Sequence, residues 1–558
     1  MKKASLTIAL LFYVFVSYSQ TPITENEKLA SLCKVWGFLK YYHPALSKGE
    51  RDWDRELMNR IDPVLAMNGK AEISRYYVDW INSLGQVKEL RHVKQFTDSN
   101  KKNVDLKWMD NQEQFSDSLS ALLHYLELNK HGKKSYYVSR KFPQFTSSFS
   151  NEKTYIDSAS PSHNLRMVAL FRYWNIIQYY YPYKNIIDED WNKVLDDMIP
   201  VFRQAKDTIS YYYALSELIT RINDSHGSLK RSDKYDGFWK TKQTKAAPFK
   251  YKLIDNKAIV TGFYNDSFAL IDDIQYGDVI LTVGDKTVGE IIAAKSKYTS
   301  ASNEPTKLDR LKNFAIFIGS TDTFKISYER NGVIATKTIH RYEYSRFNYN
   351  WKKKEEKVAS KLIDSSIAYM DLEVLKPKDV KPTMEPLMNT KALIIDVRNY
   401  PNGTMYKISK MLNRRKKRFV IFEEPYYKHP GVLKQMAPYT CGKRNRHYYK
   451  GKVILLFNET TQSHAEFTCM ALQSAPDVTS IGSQTAGADG DVAKIPLPGG
   501  YSTYMTGLGV FYPDGRPTQR IGIVPDIKVT PTIEGIRQRK DEVLEKAIEF
   551  ARSKTNRK

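Results

Sequence analysis

The sequence predicts a multidomain α+β protein with a duplicated helical N-terminal region, a β-rich middle and an α/β C-terminal part. With 558 residues, the chain is longer than a single hydrophobic core supports. Apolar residues recur at helical spacing up to about residue 225 and at strand spacing from about residue 245. From residue 366 onward, continuous apolar runs alternate with helical patterns, which indicates a buried sheet covered by helices.

The first twenty residues have the pattern of a secretory signal peptide. Lys2 and Lys3 precede an apolar run from Ala4 to Val16, and small polar residues follow. The run is shorter than the roughly 20 residues of a membrane-spanning helix, although an uncleaved anchor remains an alternative. We therefore expect export to the periplasm or cell envelope, or secretion, and no membrane span once residues 1–20 are removed.

The chain carries a net charge of +24, spread over its length except for one dense run, Arg414-Arg415-Lys416-Lys417-Arg418. We interpret this run as a solvated helix end, with a binding patch as the alternative. No zinc-finger spacing or RNA-binding signature is present, so no nucleic-acid partner is expected.

The three cysteines, Cys33, Cys441 and Cys469, are too few for a disulfide scaffold and lack the spacing of a metal site. We expect neither a metal nor another cofactor. A bridge between Cys441 and Cys469 is neither indicated nor excluded.

Two stretches of the N-terminal region repeat each other. The segment from Trp36 to Pro44 aligns with the segment from Trp174 to Pro182, and the same offset carries Asp52-Trp53 onto Asp190-Trp191. Each copy predicts a helix that ends near proline, a turn and two further helices. We place the first copy, residues 25–90, in a helical domain of residues 21–150, and the second, residues 163–225, in residues 160–237. The recurring aromatic residues indicate core packing.

Residues 245–343 predict a β-rich unit that starts with a hairpin around Asp255-Asn256. A Gly-Asp pair, an apolar strand and a Gly-Asp turn follow, and this order resembles the centre of a PDZ domain. The resemblance implies strand addition and capture of a peptide carboxylate, and it assigns peptide binding to Tyr276, Gly277, Asp278, Val279 and Ile280. An unrelated β-hairpin module is the alternative.

Residues 350–535 predict the α/β part, and residues 536–558 predict a C-terminal helix and tail. The strand from Val453 to Asn458 is followed by a loop that presents Ser463 at a helix start, where backbone N–H groups favour negative charge. The strand from Ala392 to Val397 is followed by a turn with Gly403. From the residues alone, a helix N-cap is the favoured interpretation of Ser463.

These motifs together resemble the carboxyl-terminal processing and tricorn-protease family of serine peptidases. The resemblance rests on Ser463-x-Ala465-Glu466, on the turn from Asp396 to Gly403, on the turn from Ile481 to Gly487 and on the segment Gly522 to Val529. It implies a ClpP/crotonase-like layered sheet and a polypeptide substrate, taken at unstructured or C-terminal ends. Ser463 would be the nucleophile.

The resemblance also suggests partners for Ser463. The lysine of a Ser–Lys dyad would fall at Ala488, and Lys494 does not align. The tricorn-like arrangement instead implies His226 as general base with Ser225 beside it, while Gln519 stands where that family has a supporting Glu. The backbone N–H groups of Gly403 and His464 would form the oxyanion hole. The His464 side chain is a less favoured base.

Two other functional classes stay open at this point. The missing lysine and glutamate favour a catalytically impaired protein that still binds peptides. The helical repeat could instead be the working part of a structural envelope protein. A homo-oligomer is compatible with either reading.

Overall fold

The computed structural model describes residues 23–130, 135–158, 160–231, 245–264, 266–312, 316–348 and 357–553. The predicted signal peptide lies outside the described residues. The described chain is a multidomain α+β protein with helices first, a β-rich unit next and an α/β sheet last. No helix in the described ranges combines the length and the apolar character that crossing a bilayer requires.

The N-terminal region contains two helical units of the same order, separated by helix α4 and a short antiparallel pair, β1 and β2. The bounds are α1 Glu25–Tyr42, α2 Trp53–Ala66, α3 Lys70–Ser83, α4 Asp117–Leu128, β1 Ser139–Lys141, β2 Thr146–Ser148, α5 His163–Tyr180, α6 Trp191–Gln204 and α7 Thr208–Thr220. Helices α1 and α5 have 18 residues each, and α2 and α6 have 14 each. The sequence repeat thus corresponds to a structural repeat.

In both units, two tryptophans join the first helix to the second. The indole N–H of Trp36 donates to the carbonyl oxygen of Trp53 at 2.9 Å. In return, the indole N–H of Trp53 donates to the carbonyl oxygen of Trp36 at 3.1 Å. Trp174 and Trp191 exchange the same two bonds at 2.7 and 3.0 Å. The repeat therefore preserves buried indoles together with their required hydrogen-bond acceptors.

Helices α1 and α5 cross at equivalent positions of the two units. A Cβ atom added to Gly37 would lie 1.8 Å from Oδ1 of Asn175, its counterpart in the repeat. Asn175 donates to the carbonyl oxygens of Cys33 and Phe171, so its side chain is held in place. One hydrophobic core includes both units, and the domain boundaries predicted within this region remain predictions.

The helical core extends into the C-terminal part through strands β21, Val492–Leu497, and β22, Tyr501–Thr506. Arg172 is fully buried and donates to the carbonyl oxygen of Pro496 at 3.0 Å. Its guanidinium also pairs with Glu152 at 3.0 Å and with Asp54 at 2.5 Å. These contacts hold the β21–β22 hairpin against the helices.

The β-rich unit contains a six-stranded sheet in the order β11-β10-β7-β6-β5, with β8 paired to β7. The predicted hairpin is present, because Asp255 and Asn256 adopt positive φ angles of 50° and 57° between β5 and β6. The bounds are β4 Lys245–Ala246, β5 Phe249–Ile254, β6 Lys257–Phe263, α8 Asp266–Ile271, β7 Val279–Val283, β8 Lys286–Thr287, α9 Val288–Ser296, α10 Glu304–Leu311, β9 Ile318–Gly319, β10 Thr323–Arg330, β11 Val333–His340 and β12 Tyr342–Glu343.

The C-terminal part is built on a sheet of order β13-β14-β15-β19-β20-β24, parallel from β14 onward. Alternate residues face opposite sides: Leu393 and Ile395 join the cluster with α11, α12 and α13, whereas Ala392 and Ile394 join the cluster with α15. The bounds are β13 Ser360–Asp364, β14 Ile367–Asp371, α11 Val380–Met384, β15 Ala392–Asp396, α12 Met405–Leu412, β19 Lys452–Phe457, α13 His464–Leu472, β20 Val478–Gly482, β24 Ile527–Lys528, α14 Ile533–Arg537 and α15 Glu542–Arg552.

Smaller sheets surround this layer. The remaining strands are β3 Lys230–Arg231, β16 Lys417–Pro425, β17 Leu433–Gln435, β18 Tyr439–Cys441 and β23 Gly509–Phe511. Strand β3 pairs with β22, which ties the chain after α7 to the C-terminal part. Cys33, Cys441 and Cys469 are buried and free, so the bridge left open by the sequence is not formed.

Candidate active site

Ser463 stands between the end of β19 and the start of α13, in a backbone conformation unusual for serine. Its φ and ψ angles are 57° and −123°. Its backbone N–H faces the carbonyl oxygen of Ala488 at 3.0 Å and Oε2 of Glu466 at 3.2 Å. A non-glycine residue with positive φ at a strand-to-helix turn is strained, and such strain concentrates at functional sites.

Glu466 is the buried carboxyl that holds this turn. It accepts from the N–H groups of Gly487 and Ala488 at 2.8 and 3.0 Å and from the Thr485 hydroxyl at 2.6 Å. Burial raises the pKa of Glu466 to about 7, although these donors favour the ionised form. The side chain thereby fastens the segment 485–488 beside Ser463.

His226 lies in the segment between α7 and β3. Its Nδ1 is 2.8 Å from Oγ1 of Thr506, the last residue of β22. The Thr506 hydroxyl is 2.9 Å from Oδ1 of Asp224, which is fully buried. Since a carboxylate only accepts, Thr506 donates to Asp224 and accepts from Nδ1–H of His226. This assignment leaves Nε2 of a neutral His226 ring with a free lone pair.

The charges around His226 act on its pKa in opposite directions. Burial of the ring is the largest influence and lowers the pKa, and the positive charge of Arg310 lowers it further. Asp224 raises it, with Oδ1 lying 3.7 Å from Nδ1. The net direction is downward, so the imidazole is neutral and able to accept a proton near neutral pH.

The segments that carry His226 and Ser463 are hydrogen-bonded to each other. The carbonyl oxygen of Ser225 accepts from Nε2 of Gln462, the residue before Ser463, at 3.2 Å. The Ser225 hydroxyl donates to the carbonyl oxygen of Ala486 at 2.8 Å. Arg310 of α10 donates to the carbonyl oxygen of Ser225 and to Oε1 of Gln462, the latter at 3.3 Å. All three large parts of the chain therefore meet at this point.

Gln519, the predicted fourth member, is fully buried and contacts the His226 group only indirectly. Its Oε1 lies 3.4 Å from Oγ1 of Thr506, and its Nε2 donates to the Tyr181 hydroxyl at 3.2 Å. Where a dyad lysine would stand, Ala488 bonds the backbone of Ser463 instead, and Lys494 lies exposed on β21.

Gly403 and the side chain of His464, the residue after Ser463, are neighbours. Gly403 has a φ of 71°, and a Cβ added there would be 4.0 Å from Nε2 of His464. That nitrogen is buried and has no hydrogen-bond partner among the residues that the structure describes. The ring packs near Tyr400 and Phe467, each with centroids 6.2 Å away, and burial lowers the pKa of His464.

The five residues assigned to peptide binding in the β-rich unit have other contacts. Val279 and Ile280 lie in β7, which pairs with β6 and β10 and therefore offers no free edge for strand addition. Asp278 is buried against Arg330 at 2.7 Å. Tyr276 lies under the guanidinium of Arg539, and Gly277 accepts from Arg537 at 3.3 Å. The edges of this sheet are β5 and β11, and peptide binding by these five residues remains a prediction.

Sequence reasoning did not assign roles to four residues at the centre of this site. Asp224 and Glu466 stand inside the motifs that identified His226 and Ser463, so the sequence already places each of them close to its candidate site residue. Thr506 and Arg310 come from β22 and α10, and no local pattern marks them. Within the described ranges, no group of three or more His, Cys, Asp or Glu side chains is arranged to hold a metal ion.

Comparisons with known proteins relate the C-terminal part to a peptidase family and the fold to solved structures. Residues 366–529 match the family model of peptidase family S41. The structure of mature CPAF complexed with lactacystin superposes with a TM-score of 0.55 and 14% identity, over 70% of this chain and 98% of that one. A CPAF mutant gives a TM-score of 0.57 and 13% identity, over 71% and 99%. No curated protein matches the chain in sequence.

The match to this family model identifies the protein as a serine peptidase, which is a hydrolase acting on polypeptides. The region that carries Ser463, residues 366–529, is similar to peptidase family S41.

Proposed function

We propose that the protein is an exported serine endopeptidase of the processing type, which cleaves peptide bonds through an acyl-enzyme on Ser463. The observation that carries the proposal is the hydrogen bonding of Ser225 to Gln462, because it joins the histidine segment to the serine loop. Export rests on the leader-like residues 1–20.

In this mechanism the Ser463 hydroxyl oxygen attacks the peptide carbonyl carbon and gives its proton to Nε2 of His226. The carbon–nitrogen bond breaks, and the protonated imidazole returns the proton to the leaving amine. His226 then takes a proton from a water molecule as the water oxygen attacks the ester carbon, the carbon–oxygen bond to Ser463 breaks, and the Ser463 oxygen regains the proton from the imidazolium. The backbone N–H groups of Gly403 and His464 stabilise the oxyanion, as donors fixed in advance of the reaction.

Asp224 supplies the negative charge near His226 that the neutral Gln519 cannot supply. It is linked to His226 through Thr506, so it favours the Nδ1–H tautomer and the imidazolium that forms during attack. Gln519, being neutral, supports Thr506 by position. Ser225 orients the segment through its bond to Ala486.

The β-rich unit recruits or gates substrate ends, acting as the PDZ-like module that the sequence resembles. A cavity of about 350 Å³ lies between the edge strand β5 and helix α10, and Glu459 of the loop before Ser463 also lines it. Lys252 of β5 pairs with Glu459 at 2.9 Å. A peptide strand added to β5 would thus lie close to the loop that leads to Ser463.

Labelling with a fluorophosphonate probe tests the proposal, since the probe reacts with activated serines. We expect stoichiometric labelling of the wild type and none of Ser463→Ala, with peptide mapping placing the adduct on Ser463. Labelling of neither protein, with both folded, would contradict the peptidase mechanism.

A catalytically impaired peptide-binding scaffold is the second candidate. The observation that favours it is Gln519, a neutral side chain in place of the family's glutamate. This candidate predicts peptide binding without labelling or turnover, and equal binding by the wild type and Ser463→Ala.

A further inference from the structure

One exposed surface of the C-terminal part is unusually rich in positive charge. It is formed by residues 405–418 and 439–450, which contain no Asp or Glu. We call it the basic surface, and its eleven exposed cations are Lys407, Lys410, Arg414, Arg415, Lys416, Lys417, Arg418, Lys443, Arg444, Arg446 and Lys450. None of them forms a salt bridge with a carboxylate of the described residues.

The two segments are hydrogen-bonded together, so their charges lie close to one another. The backbone N–H of Asn445 donates to the carbonyl oxygen of Arg414 at 2.9 Å, and the backbone N–H of Tyr449 donates to the carbonyl oxygen of Met411 at 2.8 Å. Lys417 on β16 pairs in register with Cys441 on β18. Mutual repulsion of so many fixed cations is unfavourable unless counterions or an anionic partner offset it.

Two exposed tyrosines belong to the same surface. Tyr406 is 41% exposed and Tyr439 is 38% exposed. They end a row of aromatic rings that passes through Phe419, Phe467 and Phe422, with successive centroids 4.9 to 6.3 Å apart. Tyrosines beside cations are typical of protein surfaces that contact the interfacial layer of a bilayer.

We propose that the basic surface docks the protein onto an anionic lipid bilayer. Charge complementarity supplies the attraction, and the tyrosine rings reach the head-group layer. A nucleic acid would offer similar charge, but the export proposed above separates the protein from nucleic acid, and tyrosines beside cations suit a bilayer interface. The surface begins on α12, which starts two residues after Gly403.

Co-sedimentation with vesicles tests this proposal independently of peptidase activity. The probes are vesicles of phosphatidylcholine alone and of phosphatidylcholine with phosphatidylglycerol, at about 0.1 M salt, where the screening length is roughly 10 Å. We expect binding to the anionic vesicles only, weakening steeply as salt is raised. Ser463→Ala should bind as the wild type does.

Two charge-matched variants test whether the run of cations at 414–418 is responsible for vesicle binding. The first changes all five cations of the run to Gln: Arg414, Arg415, Lys416, Lys417 and Arg418. The control changes five exposed lysines elsewhere to Gln: Lys257, Lys286, Lys325, Lys376 and Lys378. We expect the first to bind anionic vesicles at least about 100-fold more weakly and the control to change binding less than about threefold.

Circular dichroism and thermal unfolding check that both variants fold. Equal binding of the two variants, or wild-type binding that ignores phosphatidylglycerol, would overturn the proposal. Binding of duplex DNA without binding of anionic vesicles would overturn it as well.

Discussion

Nδ1 of His226 lies 2.8 Å from the hydroxyl oxygen of Thr506, 280 positions further along the chain. The same hydroxyl bonds Asp224, so an imidazole, a hydroxyl and a carboxylate form one buried chain. Such a chain fixes the ring's tautomer and orientation, which a histidine base needs before it can accept a proton. In the mechanism proposed above, the Thr506 hydroxyl takes the place that a carboxylate directly bonded to histidine fills in a serine-protease triad.

Replacing Thr506 with Val removes the hydroxyl and keeps the shape. We expect the rate of fluorophosphonate labelling at Ser463 to fall about 10- to 100-fold, because His226 loses the acceptor for Nδ1–H. Thr506→Ser keeps the hydroxyl and should stay within about threefold of the wild type. Unchanged labelling of Thr506→Val would show that His226 does not depend on this bond.

Asp224→Asn removes the negative charge that raises the pKa of His226. The pKa of His226, already below its usual value because of burial, then falls further. Since the base works when neutral, the labelling rate of the wild type increases as pH rises through the pKa of His226. In the variant, this rise in the labelling rate should occur at lower pH. The plateau should fall about 10-fold or more, because the imidazolium loses its counter-charge. A rise that moves to higher pH would contradict the assignment.

We expect Glu466 to make the free energy of unfolding depend on pH. Burial raises its pKa from 4.5 to about 7, so the folded state binds the proton more tightly than the unfolded chain. Its contribution is present below about pH 4.5 and is lost as pH rises to about 7, a change of roughly 3 kcal/mol.

Urea unfolding of the wild type and Glu466→Gln over this pH range measures the effect. The wild type's stability relative to the variant should decline with rising pH. A constant difference between the two proteins would show that Glu466 has an ordinary pKa.

Gly37→Ala tests the crossing of α1 and α5. The new methyl would overlap Oδ1 of Asn175, and we expect a loss of about 1–3 kcal/mol in the free energy of unfolding. Adding Asn175→Ala should recover part of this loss because it makes room. Gly69→Ala is the control, since no atom lies within 4 Å of a Cβ there. Equal effects at both glycines would argue against close contact at the crossing.

The fold was largely readable from local patterns. The strand predicted from Ala392 to Val397 is observed as Ala392–Asp396, and the helix start predicted at Ser463 is observed, since the helix spans His464–Leu472. Continuous apolar runs identify buried parallel strands because both of their faces are covered. The sequence did not show which strands form the edges of the sheet in the β-rich unit, because strand order depends on pairings between distant segments.

The sequence by itself determined the duplicated helices, the β-rich insert, the α/β sheet and the likeness to a serine peptidase, since each depends on residues close together in the chain. Only the tertiary structure decided which side chains surround His226. Thr506 reaches it because β3 pairs with β22, and Arg310 approaches because α10 packs against the Ser225 segment. Those contacts join residues far apart in the chain, and their geometry is set by packing rather than by local composition.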